Sequence, residues 1–230
     1  RPRLAVGARR VLERVPAGAR VLDVGCGDGK AGRWLARRLA GVTYVGLDTS
    51  AVMLERARGY SQQWTVSSEQ SSQTPQLTAH RSLRFVHANL LSPDLEKTLG
   101  DTAYDWVLAF AVFHHLPGAE ARAQVLQTLA GRLQAGGWLA MSNWQFTQSE
   151  RLRRRIVAWE RLGLADADVE PGDYLLTWER GPGSGLRYVH LLDQAAARGL
   201  AMGAGLEVRE VFRSDGHRGD LAEYVLMQKA

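Results

Sequence analysis

Cysteine is almost missing from the 230-residue chain, in which Cys26 stands alone. One thiol cannot close an internal disulfide, and no Cys/His group has zinc-ligand spacing. A disulfide scaffold and a structural zinc module are excluded, and no metal is expected. Lysine is nearly as scarce: of 29 basic residues only Lys30, Lys97 and Lys229 are lysines, and the other 26 are arginines. Against 24 acids the net charge is +5, a mild excess for this length. An arginine-favouring coding bias accounts for it as well as an anionic partner does. Long apolar runs are absent too. No stretch reaches the roughly 18 uncharged apolar residues of a membrane-crossing helix. Residues 1–20 interrupt their apolar positions with arginines, unlike a secretory leader, so a cytoplasmic location is expected. No internal repeat and no linker divides the chain, so residues 1–230 are expected to form one domain.

What is present is an ordinary globular balance, 45% apolar and 23% charged. Short apolar runs alternate with longer periodic segments. Strands are expected at 20–24, 42–47, 83–86, 105–109 and 138–141, and helices at 30–40, about 50–58 and 119–134. In the last of these helices Val125, Leu126, Leu129 and Leu133 make one apolar stripe. Strands separated by helix-length crossovers imply a parallel α/β sheet with helices on both faces. Two alternating segments near the end, 206–212 and 223–227, read as half-exposed strands at a sheet edge. Residues 61–80 are rich in Ser, Gln and Thr and read as a polar surface insertion. Residues 166–190 carry Pro171, Gly172, Gly181, Pro182, Gly183 and Gly185 and read as a lid loop on the substrate side. The arginines at 151, 153, 154 and 155 open an expected helix whose apolar stripe is Leu152, Ile156 and Trp159.

The sharpest local signal is Val21-Leu22-Asp23-Val24-Gly25-Cys26-Gly27-Asp28-Gly29, which follows a strand and opens a helix. Glycine lets the backbone turn tightly and lets a ligand come close. Asp48, 23 residues after Gly25 at the end of the second strand, can accept from both hydroxyls of a ribose. A dinucleotide loop spaces its glycines G-x-G-x-x-G. Here they fall at 25, 27 and 29, and Asp23 adds a carboxylate that a pyrophosphate would avoid and a cationic nucleoside would favour. NAD-dependent oxidoreduction is therefore disfavoured.

This loop resembles the first motif of class I S-adenosylmethionine-dependent methyltransferases. Phe85–Leu90, Asp105–Leu116 and Leu133–Leu139 are similar to the family's later motifs, in the family's order, and the resemblance covers about residues 20–142. It implies a Rossmann-like fold with a mostly parallel seven-stranded sheet and an antiparallel edge strand. It implies S-adenosylmethionine as cofactor and S-adenosylhomocysteine as product. Carried over by position, Asp23 and the backbone of Gly25, Cys26 and Gly27 would hold the methionine part. Asp48 would take the ribose, with Thr49 and Met53 beside the adenine. Asn89 (where the family usually has Asp) and Leu90 would cap the adenine edge, and Phe110 would lie near the sulfonium.

On the substrate side His114 and His115 follow the fourth strand, where a histidine could serve as a base; His114 is the candidate. Gly172–Trp178 and Arg187–His190 resemble segments of the wobble-uridine carboxymethyl methyltransferases of transfer RNA. Arg187 offers a planar fork for a carboxylate or phosphate, and Tyr188 and His190 add hydrogen bonds. The expected activity is methyl transfer to an oxygen or nitrogen of a small molecule. The alternatives are a transfer-RNA wobble uridine as acceptor, or a non-catalytic cofactor-binding subunit.

Overall fold

The computed structural model describes residues 4–69, 82–180 and 183–230. Helix α1 (Val6–Leu12) precedes strand β1 (Arg20–Val24). The next elements are α2 (Lys30–Arg38), β2 (Thr43–Asp48), α3 (Ala51–Glu69), β3 (Ser82–His87), α4 (Leu95–Leu99), β4 (Tyr104–Phe110), α5 (Ala119–Gly131) and β5 (Leu133–Trp144). A short excursion follows, made of α6 (Glu150–Arg153), β6 (Ile156–Val157), β7 (Asp173–Arg180) and β8 (Gly183–His190). The chain then returns through α7 (Gln194–Gly203), β9 (Leu206–Ser214) and β10 (Ala222–Lys229).

Seven strands form one sheet in the order β3-β2-β1-β4-β5-β10-β9. The first five are mutually parallel, and β10 runs antiparallel to both its neighbours. β1 is buried at four of its five positions and β10 at its first six. Such two-sided burial is what continuous apolar runs predict. Both faces are covered. Val11 and Leu12 of α1, Leu35 of α2 and Leu54 of α3 pack on one face. Leu126 and Leu129 of α5 and Ala197 and Ala201 of α7 pack on the other. Helix α7 begins where the Asp193 carboxylate accepts the Ala196 N–H at 2.8 Å, a side-chain cap.

Four expectations change. Helix α3 does not stop near residue 58 but continues to Glu69, so the expected insertion begins as helix; its residues 70–80 lie outside the described residues. The expected lid loop is largely a β-hairpin. β7 pairs antiparallel with β8 from Asp173↔His190 to Arg180↔Gly183, and β6 adds a third strand. The hairpin has its own small core of Phe146, Leu152, Leu176 and Val189, which overrides the Gly/Pro content. The arginine-rich segment makes one turn, α6, and Ile156 then enters β6 instead of continuing a helical stripe. Finally, β10 is no half-exposed edge strand: β9 lies outside it and forms the edge.

Candidate active site

The strand order reverses between β1 and β4, and a crevice opens at the carboxyl ends of these strands. β1 ends at Val24 and the chain turns sharply through Gly25 and Gly27, whose φ values of 68° and 56° lie in the left-handed region. A Cβ on Gly25 would stand 2.5 Å from Val112 Cγ2, so glycine there also admits the chain leaving β4. The loop is tied to β2. Cys26 N–H donates to Leu47 O at 2.9 Å, and Gly27 N–H donates to Asp48 Oδ2 at 2.8 Å. Ser50 N–H donates to Asp48 Oδ1 at 2.8 Å. Each Asp48 oxygen thus holds one backbone N–H and keeps a second lone pair.

Around Asp48 lies a cleft of about 370 Å³. Gly25, Asp48, Thr49, Asn89 and Leu90, all expected at the cofactor, line it, together with Ala111, Val112, His115 and Leu116. Asn89 is exposed, and its Oδ1 accepts the Leu91 N–H at 2.9 Å. The Met53 methyl lies 3.6 Å from where a Gly27 Cβ would be, so Met53 stands beside the glycine loop.

Two expected cofactor side chains, Asp23 and Phe110, sit away from the cleft, while Cys26 keeps its backbone on the loop with its side chain turned inward. Asp23 is buried and its carboxylate accepts from the Tyr44 hydroxyl at 2.5 Å instead of lining the cleft. Burial, reinforced by the charge of Asp48, pushes the Asp23 carboxyl up to about 7 against the pull of the Tyr44 bond. The Cys26 side chain is buried and its thiol is held far above its ordinary pKa by burial and by Asp23. Phe110 packs edge-on against Tyr224, with ring centroids 5.8 Å apart; Ala111 and Val112, next in sequence, are what reach the cleft.

The histidine pair divides. His114 is completely buried, stacked on Trp144 at 5.1 Å, and receives the Trp144 N–H on Nδ1 at 3.4 Å. Its remaining proton is therefore on Nε2, and burial and the neighbouring His115 keep the ring neutral. With its Nδ1 lone pair engaged and no access to the cleft, His114 cannot act as the base expected of it. His115 lines the cleft instead.

The residues expected on the substrate side are built into the hairpin. Arg187 lies over the Trp178 ring at 3.7 Å, and its guanidinium is 6.0 Å from the Trp144 ring centre. Tyr188 O–H donates to Asp173 Oδ1 at 2.7 Å, and His190 Nδ1 shares that oxygen at 2.7 Å. The polar atoms expected to meet an acceptor are thus engaged by Asp173, and both side chains position the hairpin. Glu170, Asp173 and His190 bring possible metal-ligand atoms within 4.8 Å of one another. Arg122 is inserted in the same group, donating to Glu170 at 2.6 Å and facing the Tyr188 hydroxyl at 3.4 Å. Arg122 is the buried residue the sequence reading missed. It falls three residues before Val125 on the apolar stripe of α5, and a lone cation in such a stripe was the available signal.

Residues 22–139 match the family described as methyltransferase domain. The chain is 29% identical over 153 residues to an uncharacterized methyltransferase of Mycobacterium tuberculosis, covering 66% of this chain and 64% of that protein. It is 32% identical over 138 residues to a trans-aconitate 2-methyltransferase of Rhodopseudomonas palustris, covering 58% and 43%. The match therefore spans somewhat under two thirds of the mycobacterial relative. Among solved structures, magnesium protoporphyrin IX methyltransferase from Synechocystis, with S-adenosylhomocysteine bound, superposes with a TM-score of 0.62 at 19% identity over 97% of this chain and 82% of that one. At that identity the likeness is one of fold. No helix among the described residues is long and apolar enough to cross a membrane.

Proposed function

The chain belongs to the methyltransferase domain family, and from that premise we propose that it uses S-adenosylmethionine to methylate an oxygen or nitrogen of a small molecule. The observation that carries this reading is Asp48 at the end of β2, its two oxygens fixed by backbone N–H groups and each retaining a lone pair inside the cleft. A pair of acceptors so held suits the two hydroxyls of a ribose. Leu90 and Leu116 supply apolar surface for a planar base, and the Asn89 side chain supplies polar atoms at the cleft wall. The buried Asp23 favours a cationic amino-acid end near the loop. The residues fit the group.

When bound, S-adenosylmethionine supplies an electrophilic methyl group on a sulfonium. The protein's own task is alignment, which contributes several kcal/mol to such displacements. Arg187, held over the Trp178 ring in the β7–β8 hairpin, orients an anionic group of the acceptor in this reading. A trans-aconitate methyltransferase among the relatives agrees with a small organic acid as acceptor.

Isothermal calorimetry with S-adenosylhomocysteine tests the reading. The parent should bind, and Asp48→Ala should weaken binding by roughly 1.5–3 kcal/mol through the lost ribose hydrogen bonds. A melting curve separates this from the loosening of the loop that Asp48 also ties. Unchanged affinity in the variant refutes the ribose assignment, and absence of binding in the parent refutes the function. Arg187→Lys, which keeps the charge and loses the planar fork, should leave that affinity level and slow turnover of a carboxylate-bearing acceptor. Equal turnover makes Arg187 a wall of the hairpin.

A further inference from the structure

Two adjacent histidines follow β4, and the surroundings give them opposite proton arrangements. His115 Nδ1 lies 3.2 Å from the Tyr188 carbonyl oxygen. A carbonyl can only accept, so Nδ1 carries the proton and donates it. In the neutral ring the lone pair is then on Nε2, and no hydrogen bond to Nε2 forms among the described residues. His114 is the reverse: its Nδ1 accepts the Trp144 N–H, which leaves its proton on Nε2 inside the core. His115 is half-buried and lines the same cleft as Asp48. A backbone carbonyl from β8 thus fixes the tautomer of a ring on the cleft wall, and a second-layer partner choosing which nitrogen is reactive is how histidine bases are oriented.

Resting on the methyl-transfer reading above, we propose that His115 is the general base for the reaction, taking through Nε2 the proton of a hydroxyl or amine acceptor. The proposal narrows the substrate class. A carboxylate nucleophile is already ionised near neutral pH and has no proton to give up, whereas an alcohol, a phenol or an amine has one. The acceptor is thus a proton-bearing nucleophile, and any carboxylate on it serves as the handle for Arg187. The balance for a hydroxyl is complete. The O–CH3 bond forms as the S–CH3 bond breaks with its electron pair left on sulfur. The hydroxyl proton passes to His115 Nε2, and the imidazolium later returns it to solvent.

The charged and titratable neighbours of His115 come from three sides. The ring of His114 stands 4.3 Å from that of His115, Arg187 approaches from β8, and Asp48 lies in the same cleft. Burial, with a smaller contribution from the Arg187 charge, holds His115 below its ordinary pKa against the bond to Tyr188, so the ring is neutral at pH 7. Such a base typically contributes about 10²–10⁴-fold.

The test uses the full chain loaded with S-adenosylhomocysteine and labelled at histidine. Nitrogen NMR at pH 7 should show His115 with its proton on Nδ1 and Nε2 bare, titrating below the usual histidine range. A ring protonated on Nε2, or charged at pH 7, overturns the proposal without any turnover being needed. The second arm uses 4-hydroxybenzoate, which carries both nucleophiles, with methyl-labelled S-adenosylmethionine. The ether should form in preference to the ester. His115→Asn, whose amide keeps a donor for the Tyr188 carbonyl, should lower ether formation about a hundredfold or more and flatten its rise with pH. S-adenosylhomocysteine affinity should stay within about threefold. An ester product, or ether formation unchanged in the variant, overturns the proposal. Loss of S-adenosylhomocysteine binding by the parent strikes the cofactor reading instead.

Discussion

Asp23 shows what a single side chain costs and gains by its position. Folding places its carboxyl among Tyr44 and the sheet core, and its pKa rises from 3.8 to about 7. Between those values the native state holds a proton that the unfolded chain has released. Stability therefore falls as pH climbs through that window, by at most about 4 kcal/mol once pH exceeds 7. Asp23→Asn removes the titration and still offers an oxygen to the Tyr44 hydroxyl. Ligand-free melts should show the variant gaining on its parent at pH 8 and not at pH 4. A difference that is the same at both pH values would remove the buried charge from the account. The same variant should bind S-adenosylhomocysteine less well, because the carboxylate favours the ammonium end of the amino acid. Gly25 and Asp48, which line one cleft, were legible because a strand-turn-helix pattern followed by a second strand ending in an acid is local in sequence. The turning of Asp23 into the core was not, because its partner Tyr44 lies on the neighbouring strand. It did not distinguish His114 from His115. Their proton arrangements are set by Trp144 and by the Tyr188 carbonyl, which are 30 and 73 positions away.

Among the elements, the β7–β8 hairpin departs most from its sequence reading. Glycines and prolines suggested a loop, yet Leu175, Leu176 and Val189 are buried, and the ladder closes with Asp173 opposite His190. What fastens the hairpin to the main domain is a polar clasp. Arg122 of α5 is buried and donates to Glu170 at 2.6 Å and to Leu116 O at 3.0 Å. Glu170 also accepts the Ala119 N–H at the start of α5 at 2.6 Å, which together with Arg122 holds its carboxyl below its usual range. Glu170→Gln leaves the Arg122 guanidinium buried without its counter-charge. Because the Glu170 side chain is 37% exposed, the loss should be moderate, about 1–2 kcal/mol, not the full cost of a buried pair. Hydrogen exchange should quicken in β7 and β8 while β1, β4 and β5 keep their protection. Exchange that quickens evenly over the chain would mean that the clasp supports the whole fold and not the hairpin.

The parallel half of the molecule was legible because its central strands β1 and β4 are buried on both faces and read as short apolar runs between helices. The place of β10 was not legible, since pairing with β5 and β9 rather than forming the edge depends on contacts distant in sequence. Charge follows the same rule. Twenty-six arginines invite a nucleic-acid reading. In the fold many of these arginines are already paired at scattered points: Arg9 with Glu13, Arg10 and Arg14 with Glu210, Arg154 with Glu150, and Arg209 with Glu207. These pairs offset five of the arginines at separate points, and a net charge of +5 is mild for gripping a phosphate backbone. Each phosphate contact contributes about −0.7 to −0.9 to the slope of log affinity against log salt. Bulk transfer RNA titrated between about 50 and 200 mM salt should therefore bind weakly, with a slope no steeper than about −1. A slope near −4 or beyond would reveal several arginines acting on one strand, and would put the wobble-uridine acceptor ahead of the small molecule.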